Sequence, residues 1–482
     1  MSRPTASQNN TATTAESGLP RRTFGLREAI TLIVGIVIGA GIFKTPAVVA
    51  SMTGDTTSMF LAWIAGGVVS LIGALCYAEL ATAYPNAGGD YYFLHRAYGR
   101  SVSFLFGWAR LSVITTGSIA LLSFVFGDYM NQVVSLDWSG SGSGTTVYAI
   151  GVILILSWVN LKNVRSGMAT QTFFTTLQVI CLLAIVATSI YLFATGSSGD
   201  TTAPVVNALP EPSSFSSSFG LAMVFVLLTF GGWNEAAYIS AEMKGSHRNM
   251  VKALTFSILI ITTLYILMTW AYWQGLGFHG MMRSHAIAAD LMQIAFGPAA
   301  QKIISLMIAI SALTSINATI IVGARTSYAM GRDWPLLHKL GIWDTARDTP
   351  ANALWVQCIA SLLLVILGGW IGSGFKSMVE FTAPVFWIFF LLAGISLFVL
   401  RIREPQTPRP FKVPLYPLVP LIFCATCTYM LWSSLSYVYD QSLGGINAAW
   451  IGVAVLLIGV MLLLLINRIA PDQKQADTVT SD

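Results

Sequence analysis

The sequence predicts an all-α integral membrane protein with twelve transmembrane helices. Hydrophobic residues occupy 55% of the 482 positions and charged residues only 10%, which lies far from the composition of globular domains. A bilayer core of roughly 30 Å requires about 20 apolar residues per helix. Windows of this kind recur at 28–51, 58–83, 101–130, 146–160, 168–194, 216–241, 250–277, 299–329, 352–372, 376–401, 414–438 and 446–467.

Two polar tails flank these windows. Residues 1–26 are rich in Ser, Thr and Asn and are predicted to be a disordered cytoplasmic tail, as are residues 468–482. The first apolar run begins too late for a cleavable signal peptide. We expect helices 1–10 to form a core over 27–413, with helices 11 and 12 over 414–467.

Basic residues predict the orientation. With both termini in the cytoplasm, only Arg283, Lys302 and Lys376 fall in segments on the extracellular side of the cell membrane. This agrees with the usual excess of Lys and Arg on the cytoplasmic side. The net charge of +5 follows from this arrangement, so we expect a lipid bilayer as partner and no nucleic acid.

Several other classes of function lack support. No G-x-x-x-x-G-K-[ST] loop for ATP is present, and the histidines form no ligand cluster. We therefore expect no cofactor, no metal and no enzyme activity. All cysteines fall within predicted spans, so no disulfide-linked partner subunit is expected; they are Cys76, Cys181, Cys358, Cys424 and Cys427.

The first predicted span contains helix breakers. The stretch TLIVGIVIGAGIFKTPAVV carries Gly35, Gly39, Gly41 and Pro46. Gly35 and Gly39 form G-x-x-x-G, which is typical of close helix packing. A dinucleotide fingerprint is a weak alternative, because it lacks its third glycine and its βαβ unit. The third interpretation is a discontinuous helix.

The sixth predicted span repeats this pattern with Gly231 and Gly232 in VFVLLTFGGWNEAAYISAEMK. Spans one and six correspond if the first ten spans are two halves of five. Paired interruptions of this kind indicate a transporter site between inverted repeats. If so, the chain has a five-plus-five inverted-repeat fold with discontinuous helices 1 and 6, followed by two extra helices.

An interrupted helix exposes backbone groups of both polarities. Unpaired carbonyls end the first half, and unpaired amides with a positive dipole end begin the second. In lipid such groups cost several kcal/mol unless they line a cavity. A zwitterionic α-amino acid presents the matching ammonium and carboxylate, so we expect it to be the ligand.

The chain also resembles a known family. GIVIGAGIFKTP, ALCYAELATAYPNAGGDYYFLHRAYG, FGGWNEAAYISAEMK, INATIIVGARTSYAMGRD and RIREPQTPRPFKVPLYPLVP are similar, in order and spacing, to the amino acid-polyamine-organocation transporters, and within them to the L-type amino acid transporter branch. The resemblance implies the same inverted-repeat fold and secondary transport of amino acids by alternating access, as exchanger, uniporter or ion-coupled symporter.

The resemblance also implies a binding site. The amides of Ala40, Gly41 and Ile42 would bind the substrate carboxylate, and three residues after the second break would line the side-chain pocket or hinge, namely Trp233, Asn234 and Glu235. For Trp233, packing is the alternative. The ammonium would meet the carbonyls of Val37, Ile38, Leu228, Thr229 and Gly231.

Three positions depart from the family pattern. Ala40 replaces a serine hydroxyl of many relatives, and Leu228 stands where many have a large aromatic gate. In the fifth span, Gln178 occupies the position of a lysine that often marks sodium independence. The amide would join helices, or hydroxyls of span eight would help to bind Na⁺ at a vacant site; these are Ser311, Thr314 and Ser315. Na⁺ and H⁺ both remain candidate coupling ions.

Ionisable side chains inside spans are candidates for function. Near the cytoplasmic ends, Glu79 and Glu242 are expected either to form inner-gate ion pairs with Arg96, Arg248 or Arg325 or to snorkel, meaning that they extend to the membrane surface. For Arg110 the choice is the same. We favour snorkelling of Lys44 over a role in steering anionic substrates, whereas Glu235 favours a cationic substrate side chain.

Two rival functions remain open at this point. A polyamine or other organic-cation carrier of the same fold would bind its substrate through acidic side chains, and neutral amino acids would not compete. A membrane-embedded enzyme or receptor would move no labelled amino acid across liposomes.

Overall fold

The computed structural model describes residues 25–86, 88–136, 143–162, 168–196, 215–237, 248–344, 349–371, 374–440 and 448–469. In these ranges the chain is helical, without strands beyond one isolated bridge between Asp344 and Thr349. The predicted all-α class is confirmed. The helices are α1 Leu26–Val37, α2 Thr45–Thr53, α3 Thr56–Ala83, α4 Asp90–Tyr98, α5 Arg100–Ala109, α6 Thr115–Val133, α7 Ser143–Leu161, α8 Met168–Ala194, α9 Phe215–Thr229, α10 Arg248–Arg283, α11 Ile287–Phe296, α12 Pro298–Asp333, α13 Ala351–Ile371, α14 Gly374–Arg403, α15 Leu418–Asp440 and α16 Ala448–Ile469.

Ten helical segments in the described ranges are long and apolar enough to cross a membrane. They coincide with ten of the predicted spans. The other two predicted spans are the first, which is divided into α1 with 12 residues and α2, and the sixth, in which α9 ends after 15 residues at Thr229. The chain is therefore a multi-pass membrane protein, and its broken helices lie where the glycines predict them.

A glycine face on α3 brings helices together at the centre of the bundle. A Cβ atom at Gly66 would lie 2.4 Å from Val226 of α9, and one at Gly67 would lie 2.4 Å from Thr262 of α10. Neither distance is compatible with a side chain, so these glycines permit close approach. By contrast, a Cβ at Gly39 would meet only the Val37 carbonyl at 3.9 Å, which gives no support to the packing interpretation of G-x-x-x-G at that position.

The broken helices occupy the middle of the packing. The first packs through α1 and α2 on α10, and α2 also packs on α9. The Ala40–Phe43 segment contacts α6 and α12. After the second break, the turn Trp233–Ala237 contacts α1 and α3. Each break is thereby surrounded by other helices, as unpaired backbone in a membrane requires.

Two short connecting helices end in the same way. A left-handed glycine joins α4 to α5, with Gly99 at φ 86° and ψ −172°. Another joins α11 to α12, with Gly297 at φ 80° and ψ −173°. Only glycine adopts these angles readily. The matching turns stand before the third and eighth predicted spans, which are equivalent positions in two halves of five.

Candidate functional site

The first break lies between α1 and α2. After Val37 the chain leaves the helix, and the Gly39 amide donates to the Val37 carbonyl at 2.7 Å. A 3₁₀ segment, Ala40–Phe43, follows. Its N-cap residue is Gly39, which has no side chain to cap the segment. The first amides of a helix have no acceptor within it. The amides of Ala40, Gly41 and Ile42 lie at the start of this segment.

The second break lies after α9. Helix geometry ends at Thr229, the Gly231 amide donates to the Leu228 carbonyl at 3.0 Å, and Gly232 has φ 106°. A side chain at Gly232 would be strained by this angle and would meet Ile36 of the first break at 3.0 Å. The second glycine is thus required both by its conformation and by the closeness of α1.

The two breaks are bonded to each other. The hydroxyl oxygens of Thr45 and Thr229 are 2.7 Å apart. A Cβ atom at Gly41 would lie 3.5 Å from the Thr229 side chain, so the two segments are in van der Waals contact. The first half of the second interrupted helix, α9, therefore lies beside the second half of the first.

Tyr265 of α10 contacts both breaks. Its buried hydroxyl is 2.9 Å from the Val37 carbonyl and 3.1 Å from the Thr229 carbonyl, and its single hydrogen can be donated to one of them at a time. The ring packs against Trp63 and Phe230. Sequence reasoning missed Tyr265, although a tyrosine inside an apolar helix usually has a hydrogen-bond partner.

Trp233 is packed in an aromatic cluster. It is buried, with ring centroids 5.1 Å from Tyr77 and 5.7 Å from Phe390, and its ring lies over Gly73, where a Cβ would be 2.8 Å from it. The structure thus shows the packing contacts that were the alternative for this residue. They fix the turn after the second break against α3 and α14.

The next two residues of that turn bind partners from other elements. Asn234 donates from Nδ2 to Asp90 Oδ2 at 3.3 Å, and Glu235 Oε1 lies 3.1 Å from a guanidinium nitrogen of Arg110. Arg110 begins a short π-helical segment, Arg110–Ile114, between α5 and α6; such segments are frequent at functional sites. Arg110 is therefore paired inside the bundle, and Asp90 is a site residue that sequence reasoning missed.

The proposed coupling position lies between α8 and α12, which pack together. Gln178 and Ser311 are buried. Thr314 and Ser315 bond carbonyls of their own helix at 3.1 and 3.4 Å. Among the described residues the Ser311 hydroxyl is buried without a hydrogen-bond partner.

The structure corrects the expectation for Lys44. Its Nζ is 2.6 Å from Asp128 Oδ2 and 2.6 Å from the His285 carbonyl, and Thr145 donates to the other Asp128 oxygen at 3.0 Å. Only 8% of the residue is exposed. Lys44 does not snorkel to the surface, because a carboxylate from α6 neutralises it inside the bundle.

The partners expected for Glu79 were also wrong. Glu79, at 2% exposure, accepts from Arg401 Nε at 2.7 Å and from the Val413 amide at 2.7 Å, with Arg409 Nε at 3.7 Å. Arg96 instead pairs with Glu404 at 2.8 Å. The other glutamate of that expectation, Glu242, and the side chain of Arg248 lie outside the described residues.

Taken together, the described residues form a polytopic helical bundle in which two interrupted helices pack against each other and against α3 and α10. This arrangement is typical of membrane transport proteins.

The chain belongs to the amino acid permease family, whose model matches residues 24–465. The resemblance drawn from the motifs is thereby confirmed, and the protein is a permease and not an enzyme.

Individual relatives are similar over most of the chain. The b(0,+)-type amino acid transporter 1 of Homo sapiens is 29% identical over 411 residues, covering 85% of this chain and 82% of the relative. The serine/threonine exchanger SteT of Bacillus subtilis is 29% identical over 429 residues, with 88% and 93% covered. The large neutral amino acids transporter small subunit 2 of Mus musculus is 28% identical over 423 residues, with 86% and 77% covered.

Proposed function

We propose that the protein is a secondary carrier that moves α-amino acids across the cell membrane by alternating access, with both termini in the cytoplasm. The observation that carries this proposal is the pairing of the two breaks, with Thr45 and Thr229 bonded at 2.7 Å. Paired breaks place exposed amides and carbonyls at one point in the bundle. Membership in the amino acid permease family supports the same substrate class.

The proposed architecture has twelve spans, ten of them in two inverted repeats of five. The reciprocal contacts of the breaks support it, since α1 packs on the turn after α9 while α2 packs on α9. The equivalent left-handed glycines, Gly99 and Gly297, support it further. Helices α15 and α16 then follow the repeats as spans eleven and twelve.

In the proposed complex, the substrate carboxylate binds the amides of Ala40, Gly41 and Ile42. The missing serine hydroxyl at Ala40 leaves recognition to backbone. The ammonium binds carbonyls at the two half-helix ends, Val37, Ile38, Leu228, Thr229 and Gly231. Because the Val37 carbonyl already accepts from Gly39 and Tyr265, the ammonium competes with the tyrosine hydroxyl there. Tyr265 is therefore proposed to set the affinity for the ammonium group.

The side chain of the substrate is proposed to meet the turn of Trp233, Asn234 and Glu235. Pairing with Arg110 neutralises Glu235, so the carboxylate is not left to attract a cationic substrate. This contact argues against the rival function of a polyamine carrier, which would need acidic groups free to bind its amines.

Transport is proposed to run as exchange, as the name of the relative SteT states for that protein, or to be coupled to H⁺ or Na⁺. Gln178 and the hydroxyls of Ser311, Thr314 and Ser315 are the proposed coupling position. A disulfide-linked subunit is not part of the proposal, because the five cysteines are free thiols within helices.

Uptake into proteoliposomes tests the proposal. Each labelled amino acid is offered with and without internal amino acid, a Na⁺ gradient and a pH gradient. We expect uptake that competing α-amino acids inhibit and polyamines do not. In matched variants, Gly41→Ala should retain uptake, because a Cβ fits at 3.5 Å from Thr229, whereas Gly41→Leu should abolish it. Uptake that only polyamines inhibit, or no uptake at all, would overturn the proposal.

A further inference from the structure

Asp90 is a buried carboxylate beside the second break. It begins α4, outside the membrane-spanning helices, and is 4% exposed. Asn234 donates to Oδ2 at a long 3.3 Å, and Oδ1 is buried without a hydrogen-bond partner among the described residues. Charged carboxylates in proteins are normally surrounded by donors. Oδ1 therefore lacks the hydrogen bond that would stabilise its share of the charge.

The groups that face Asp90 come from three other elements. The Tyr77 hydroxyl comes from α3, the Arg110 guanidinium from the π-helical segment, and Asn234 and Glu235 from the turn after the second break. Helix α14 also packs on α4, and its Phe390 contacts Tyr77; the α14 arginines bond elsewhere, Arg401 to Glu79 and Arg403 to the Ala97 carbonyl.

The charges of this cluster do not balance. Arg110 is paired with Glu235, so an ionised Asp90 adds one negative charge in a buried place, and a protonated Asp90 makes the cluster neutral. Burial is the largest effect on Asp90 and raises its pKa to about 6. The Tyr77 hydroxyl comes next and lowers the pKa, the charge of Glu235 raises it, and Arg110 and Asn234 lower it by less. The side chain of Glu235 is 31% exposed, which gives the cluster contact with water.

We propose that Asp90 is the site at which this carrier takes up and releases a proton, and that its ionisation controls how firmly α4 holds the turn after the second break. The ionised carboxylate takes one proton from water and becomes a neutral carboxylic acid. The amide of Asn234 bonds the charged form more strongly than the neutral one. Protonation therefore loosens the contact between α4 and the interrupted helix, and transport becomes dependent on pH.

The inference rests on the proposed function, and the first test does not need transport. Melting temperatures of the purified protein in detergent are measured from about pH 4 to about pH 8. Since the folded state resists ionisation of Asp90, stability falls as pH rises through about 6. The Asp90→Asn variant lacks this loss, so its melting temperature should gain on that of the wild type as pH rises. A difference that stays constant with pH would overturn the inference.

The second test measures uptake of an equimolar mixture of labelled amino acids into proteoliposomes at varied internal pH. Wild-type uptake should change severalfold around pH 6, and Asp90→Asn should abolish the change. The matched control is Asp55→Asn, because Asp55 caps α3 by accepting from the Ser58 amide at 2.8 Å and asparagine also caps helices. Hydrogen bonds from the Ser58 side chain, and then from its amide, lower the pKa of Asp55. A pH profile that is flat in the wild type, or is the same in Asp90→Asn, would overturn the inference.

A further variant covers misfolding of Asp90→Asn. Asn234→Leu removes a donor that favours the charged carboxylate, so the midpoint of the pH profile should move to higher pH; an unmoved midpoint counts against the inference. If the wild type moves no amino acid, the proposed function fails, and the melting experiment alone decides whether Asp90 binds the proton.

Discussion

Two buried ion-pair clusters tie the opposite ends of the bundle, and they are built differently. The outer cluster consists of Lys44, Asp128, Thr145 and His285, and it holds one ammonium against one carboxylate at 2.6 Å. The inner cluster consists of Glu79, Arg401, Arg409 and Val413, and it surrounds one carboxylate with two guanidinium groups and a backbone amide. Outer and inner refer to the proposed orientation.

The difference concerns how many bonds must break for each end to open. The outer cluster fixes the start of α2 to α6 and to the segment before α11 through a single side chain, Lys44. The inner cluster fixes α3 to the end of α14 and to the loop after it, and Glu79 is nearly inaccessible to water. We therefore expect the inner cluster to contribute more to stability and the outer cluster to separate more easily during transport.

The largest expected effect is that of Glu79→Ala. It leaves Arg401 and Arg409 without their shared carboxylate, and removal of one partner from a buried ion pair costs about 3–5 kcal/mol. Chemical unfolding in detergent measures the loss. The control is Glu404→Ala, which breaks a more exposed pair with Arg96. Equal losses in the two variants would show that the inner cluster contributes no more to stability than the exposed pair does.

The outer cluster should give a smaller loss. Lys44→Met removes an ammonium that bonds Asp128 and the His285 carbonyl, and hydrogen bonds to charged groups contribute about 1.5–3 kcal/mol. In the double variant Lys44→Met with Asp128→Leu most of the loss should be recovered, because no unpaired charge remains. Additive losses in this double-mutant cycle would contradict the pairing.

The sequence was sufficient to locate the breaks because their cause is local. Gly39 and Gly41, and again Gly231 and Gly232, interrupt apolar runs, and the helices end beside them. The apolar windows likewise located the ten long helical segments. Composition and backbone chemistry act over a few residues, so a single sequence displays them directly.

The ion-pair partners were beyond prediction because tertiary packing brings them together. Glu79 and Arg401 are 322 positions apart in the chain, and Lys44 and Asp128 are 84 apart. Positions near the membrane surface suggested Arg96 for Glu79, but the end of α14 supplies Arg401, and the loop after α14 folds back and supplies the Val413 amide. For Asp90, no pattern in the sequence separates a buried carboxylate from the exposed acids of other loops.

Tyr265→Phe is expected to change affinity more than stability. The hydroxyl bonds the carbonyls of Val37 and Thr229, and one hydrogen bond contributes about 0.5–1.5 kcal/mol, which corresponds to a change of about two- to tenfold in apparent affinity. The matched control is Tyr272→Phe on the same helix, because that buried hydroxyl has no hydrogen-bond partner among the described residues. The effect is read from the concentration dependence of uptake, and equal behaviour of the two variants would remove Tyr265 from the site.

The smallest expected effect concerns the exposed pair beside the inner cluster. Arg96 binds Glu404 through two nitrogens at 2.8 and 2.9 Å, which holds the pKa of Glu404 below its usual value. A lowered pKa stabilises the fold above the pKa of the unfolded chain, and the contribution is lost as pH falls through the folded value. Because solvent screens the pair, the contribution is below about 1 kcal/mol.

Acid melting of Glu404→Gln measures this contribution. The experiment is made in the Asp90→Asn background, since the raised pKa of Asp90 changes stability in the opposite direction as pH falls. In that background, the protein with Glu404 should lose slightly more stability than Glu404→Gln between neutral pH and about pH 4. If Glu404→Gln lost as much stability as Glu79→Ala, the exposed pair and the inner cluster would act as one unit. The inner end of the bundle would then be more stable, relative to the outer end, than the buried contacts alone imply.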